Sequence, residues 1–100
     1  MALEKLRLTD FNEQRRTKFQ VVLSEASKVE LQLIQVTDHT RVPEWEQFSL
    51  IFQGPPEPFL EQKIYSMGHS VLGSFDVFLV PVGKQPAGFL YEAVFNRRAQ

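Results

Sequence analysis

Phe75-Asp76-Val77-Phe78-Leu79-Val80-Pro81-Val82 and Gly88-Phe89-Leu90-Tyr91-Glu92-Ala93-Val94-Phe95-Asn96 are the two runs that decide the class of fold. Each alternates with period two, the repeat of a strand, whose successive side chains point to opposite faces. In the first run Phe75, Val77 and Leu79 share one face, and Phe78, Val80 and Val82 share the other. In the second, Phe89, Tyr91, Ala93 and Phe95 oppose Leu90, Glu92 and Val94. Gly83-Lys84-Gln85-Pro86-Ala87 between them has the length of a hairpin loop. Pro81 cannot donate to a ladder, which predicts an edge position for its strand.

The same period runs back along the chain. Phe48, Leu50 and Phe52 alternate with Gln47, Ser49 and Gln53, a half-buried strand over 46–53. Gly54-Pro55-Pro56-Glu57-Pro58 stops it, because proline lacks the N–H a ladder needs. A further strand spans about 61–67, with Ile64 and Tyr65, and ends before Gly68. Earlier, Phe19, Val21 and Leu23 alternate over 18–24, and Val29, Leu31 and Leu33 follow. At Ile34 the phase slips, and Ile34 and Val36 become the apolar positions. A slip of one residue turns every later side chain to the other face, so a β-bulge or a bend is predicted near Leu33–Ile34. Residues 37–44 read as a loop. Near the start, Asp10 and Glu13 have capping-box spacing, which predicts a short helix over about 9–16 anchored by Phe11. The expected fold is all-β: about six antiparallel strands in a small barrel or sandwich, with one short N-terminal helix and a single domain over 1–100.

Composition excludes several classes of function. Of 100 residues 43% are hydrophobic, enough for a packed core rather than a disordered chain. Eleven basic residues against twelve acidic leave a charge of −1, which argues against nucleic acid as a partner. The basic runs Arg15-Arg16-Thr17-Lys18 and Arg97-Arg98 are short and not interleaved with aromatics. With no cysteine there is no disulfide, zinc–thiolate site or thiol nucleophile. The opening Met1-Ala2-Leu3-Glu4-Lys5 is not followed by an apolar run, and no stretch is long enough to span a bilayer. A cytoplasmic protein is expected, with signal-free export left open.

Residues for chemistry are sparse. A serine nucleophile needs a positioned base, and Ser70, His69 and Asp38 are the one set that can be drawn. No signature supports it, so His39 and His69 are expected as loop residues facing water. Glu44, Glu46, Glu57 and Glu61 flank the prolines and read as a solvated acidic rim, not a calcium site. Asp76 and Glu92 lie within apolar strands and are expected to point outward, or to pair with Arg97 or a neighbouring strand. Neither catalytic residues, nor a metal, nor a cofactor follows from this inventory. What remains is surface. Phe78, Val80 and Val82 cannot share a core with Phe75, Val77 and Leu79. Either the N-terminal segment with Leu6, Leu8 and Phe11 covers this second face, or another chain does, a protein partner or a second copy.

The segments Leu8-Thr9-Asp10-Phe11, Phe48-Ser49-Leu50-Ile51-Phe52-Gln53-Gly54-Pro55, His69-Ser70-Val71-Leu72-Gly73, Phe78-Leu79-Val80-Pro81-Val82-Gly83 and Tyr91-Glu92-Ala93-Val94-Phe95-Asn96 resemble a family of short bacterial proteins of unknown function. The likeness covers nearly the whole chain. Members are often encoded near phage-tail-collar-like proteins, so the resemblance implies a tail-like or surface assembly, and it brings no catalytic residues. The expected function is a non-enzymatic interaction or accessory module acting through a sheet face or edge. The alternative is a small-ligand-binding β-barrel, which a deep polar cavity would favour over a flat apolar patch.

Overall fold

The computed structural model describes residues 3–99, so Met1, Ala2 and Gln100, including the first two residues of the opening segment, lie outside the described residues. The alternating runs form six strands: β1 (Lys18–Ser24), β2 (Ser27–Asp38), β3 (Trp45–Gly54), β4 (Lys63–His69), β5 (Gly73–Gln85) and β6 (Gly88–Arg98). Among the described residues a 3-10 turn, Leu3–Lys5, and a helix, α1 (Leu8–Asn12), precede them. All paired neighbours are antiparallel, in the order β1-β2-β3-β6-β5-β4, and β1 pairs back onto β4. The sheet is therefore a closed ring.

Two strands make closure possible by changing partner along their length. β2 pairs with β1 through Ser27–Gln32 and with β3 through Gln32–Asp38. The register slips where Leu33 faces Phe52 and Gln35 faces Ile51, the bulge that the phase slip predicts. At the bulge the backbone of Leu33 turns to the segment before β1. Its N–H donates to the Thr17 carbonyl at 3.2 Å, and its carbonyl accepts from the Arg16 N–H at 2.7 Å. β5 behaves alike, pairing with β4 through Gly73–Leu79 and with β6 through Val80–Gln85, with a second slip between Pro81 and Gly83. Bulges bend a strand and increase its twist, which is how a sheet turns a corner. Pro81 thus stands where β5 has left β4, beside a bulge, and β5 is not the edge strand that the proline predicts. The β5–β6 hairpin is also tighter than expected. Gln85 pairs with Gly88, so Pro86-Ala87 is the whole turn.

Alternation sets what lies inside. Phe19, Val21, Leu31, Phe48, Leu50, Phe52, Phe75, Val77, Leu79, Tyr91, Ala93 and Phe95 are buried, as the period-two reading requires. Leu60 closes the core from the proline loop, where its N–H donates to the buried Tyr91 hydroxyl at 3.0 Å. The N-terminal segment fills one end of the ring. Leu6 and Phe11 are buried, and the Phe11 ring lies 5.6–6.0 Å from those of Phe48, Phe75 and Phe95. The helix carrying Phe11 is shorter than the predicted 9–16 and starts at Leu8. Asp10 sits inside its first turn and accepts from the Arg7 N–H at 2.8 Å, rather than capping as the residue before the helix. Asn12 is a poor helix former, and turns follow over 13–16.

A charged latch holds this segment in place. Arg97 of β6 donates through Nε to Glu46 of β3 at 3.0 Å. It also donates to the Leu3 carbonyl at 3.1 Å and to the Leu6 carbonyl, while its guanidinium lies over the Phe48 and Phe95 rings. The other Glu46 oxygen accepts from the Leu8 N–H at 3.3 Å. Both side chains are about four-fifths buried, at 22% and 19% exposure. Removing one partner of a pair that far from water strands the other charge, at a cost of about 3 kcal/mol. Arg97→Ala is expected to lower stability by that amount in urea unfolding. It should also open residues 3–12 to hydrogen exchange before the sheet. Equal protection of that segment in variant and wild type would show that the latch is dispensable.

Candidate interaction face

The outer surface of β4, β5 and β6 is built by the same alternation that fills the core, one residue out of step. Ile64 on β4 lies directly opposite Phe78 on β5. Phe78 and Val94 of β6 line one groove of about 340 Å³ together with Leu3, Val77, Phe95 and Arg97. Ile64, Phe78 and Val94 are 66%, 48% and 65% exposed, a row of apolar side chains across three strands. Val82 extends it along β5 at 49% exposed, and Val80 is half-buried opposite Glu92. Of the predicted face, then, Phe78 and Val82 are open and Val80 is partly covered.

Among the described residues, the N-terminal segment leaves most of this face open. Its anchors Leu6 and Phe11 go to the inside of the ring, and Leu3 reaches only the groove beside Phe78. An apolar segment is drawn to the larger apolar volume, and the open end of the ring offers Phe48, Phe75 and Phe95 at once. Ile64 and Val94 belong to the face although the sequence reading did not single them out. Their signal was available: each is an apolar residue on the polar phase of its strand.

The other candidates are dispersed. Asp38 accepts from the Thr40 N–H at 2.9 Å, and the Thr40 hydrogen bonds hold its carboxyl below the usual range. His69 bonds to Thr17 and to the turn after β4, so the structure does not assemble Ser70, His69 and Asp38. His39 is an exposed loop residue, as expected, and His69 is not. The His39 Nε2 lies 3.1 Å from the hydroxyl of the buried Ser49. His69 ends β4, is half-buried, and its ring centre lies 4.3 Å from that of Phe19. Burial lowers its pKa. Asp76 is exposed opposite Ser66, and Glu92 is half-buried between Ile51 and Val80. The carboxylate that pairs with Arg97 is Glu46, which leaves the expected acidic rim for the latch, while Glu44, Glu57 and Glu61 are exposed. Among the described residues no cluster of three or more His, Asp or Glu could hold a metal ion, and no helix is long and apolar enough to cross a membrane.

No curated protein and no solved structure matches this chain. A family described as a domain of unknown function, DUF6916, matches it over residues 6–95.

Proposed function

Because the chain belongs to the DUF6916 family, whose description assigns no activity, we propose its role from its surface: a non-enzymatic interaction module that binds a protein partner through the outer face of β4–β6. The row of Ile64, Phe78 and Val94 is the observation that carries this reading. Fully burying a side chain of this kind gains about 1.5–3 kcal/mol, so Ile64 and Val94, left mostly in water, and Phe78, left half in it, hold an unused reserve. Contiguous exposed apolar surface of this kind marks interaction sites on monomeric proteins. The interior is filled by aliphatic and aromatic side chains, which favours a surface over an internal ligand cavity. The resemblance to short bacterial proteins adds a setting, a tail-like or surface assembly, in which such a module joins larger components.

Phe78→Asp combined with Val94→Asp tests the reading. Val94 is exposed and Phe78 half-exposed, so the double variant should lose about 1–2 kcal/mol and melt about 5–15 °C lower, yet stay folded at 25 °C. Complex formation, followed by light scattering and by retention of cell-extract proteins on the immobilised chain, should be lost. A double variant that still assembles and retains the same proteins would remove this face from the function.

A further inference from the structure

The end of β4 holds a polar arrangement that the apolar face does not use. Thr17 Oγ1 lies 2.8 Å from His69 Nε2 and 2.6 Å from the Gln14 carbonyl oxygen. A hydroxyl has one proton. The carbonyl can only accept, so the Thr17 proton goes to Gln14, and Thr17 accepts from His69 Nε2–H. On the other side of the ring, Nδ1 accepts from the Val71 N–H at 3.0 Å and the Leu72 N–H at 3.2 Å. Both nitrogens are therefore committed, and the ring is the neutral Nε2–H form. A proton on Nδ1 would face two backbone donors, so the ring cannot charge without breaking the turn.

We infer that His69 is an acid-released clasp: its protonation opens turn 70–72, frees Thr17 and the segment before β1, and uncovers the buried Leu72 beside the exposed Val71. The surroundings favour release once the ring is charged. Lys18 of β1 and Lys28 of β2 line the same pocket as His69, with Glu30 of β2 bonded to Lys18 Nζ at 3.1 Å. From β5 the pocket receives Ser74, and in the turn before β1 Glu13, Arg15 and Arg16 are exposed. No carboxylate lines the pocket to hold an imidazolium. The sign follows. Burial in the closed turn holds the ring neutral to below its ordinary value of 6.5. The closed form is thus fully favoured above that pH and loses ground as pH falls from 6.5 toward the lowered value.

Nuclear magnetic resonance on the intact protein reads this directly. At pH 7.5 the imidazole nitrogens should report the Nε2–H tautomer. The amide signals of Val71 and Leu72 should move together with His69 on acidification, with a midpoint below 6.5. Their hydrogen exchange, corrected for its intrinsic pH dependence, should quicken by up to about tenfold per pH unit between 6.5 and that midpoint. His69→Asn places an amide oxygen where Nδ1 accepts and cannot titrate, so it should keep the turn closed across the same range. A His69 that titrates at 6.5 with Val71 and Leu72 unmoved would overturn the inference. So would an Asn variant whose turn opens with acid as the wild type does. Neither outcome touches the apolar face of β4–β6.

Discussion

Gly88→Ala is expected to cost about 4 kcal/mol or more. That is the range reserved for substitutions that force backbone to move. Gly88 opens β6 with φ at +148°, where an L side chain is strained. A Cβ there would stand 1.9 Å from the Gly54 carbonyl oxygen and within 2.9 Å of two more backbone atoms of residues 54 and 55. Neither backbone can yield cheaply. Gly54 is the last residue of β3 and pairs with Phe89, while Gly88 pairs with Gln85 to close the two-residue turn. A domain of this size has roughly 5–15 kcal/mol in hand, so the variant should be largely unfolded or melt far below the wild type. Gly83→Ala is the control. Its Cβ would meet only the Leu90 side chain at 3.5 Å or more, and a cost under about 1 kcal/mol is expected. Equal melting temperatures for the two variants would show that the contact between residues 54 and 88 is not a structural constraint.

Phe52→Ala should cost about 3–5 kcal/mol in denaturant unfolding, the usual loss for a buried phenylalanine. Phe52 is fully buried on β3, and its ring meets that of Phe19 edge-on, with centroids 5.2 Å apart at 76°. Both strands are held by neighbours on either side of the ring, so the space left cannot close by moving one of them. The vacancy adds the lost contacts of Phe19 to the lost transfer energy. Phe59→Ala provides contrast. Its ring also meets an aromatic edge-on, Phe89 at 4.9 Å, but half of it faces water, and about 1 kcal/mol is the expected loss. A Phe52 variant no less stable than the Phe59 variant would mean that this face of β3 does not line the core.

The candidate face was partly legible for the same reason the core was. Phe78 and Val82 could be assigned to the outside of β5 because Phe75, Val77 and Leu79 claimed the inside. Ile64 and Val94 join them only through registers that set three strands side by side. The polar bonds of His69 were not legible, since Thr17 lies 52 residues away and the other donors are backbone N–H groups. Any residue but proline supplies such a donor, so no residue type announces it.

Local pattern carried the rest of what could be known in advance. Side-chain direction along a strand depends on neighbours one and two residues away. The alternation at 48–52 and 75–79 therefore settled burial, and the slip at Leu33–Ile34 located a bulge, without any tertiary information. Strand partners are another matter. The groups that pair β1 with β4, or Gln85 with Gly88, are peptide N–H and C=O, the same on nearly every residue. Closure of the ring, the change of partner at Pro81 and the pairing of Glu46 with Arg97 across 51 residues had to await the folded chain. So did the place of Phe11. Its hydrophobicity required burial, but the choice between the outside of β5 and the end of the ring rested on where Phe48, Phe75 and Phe95 came together.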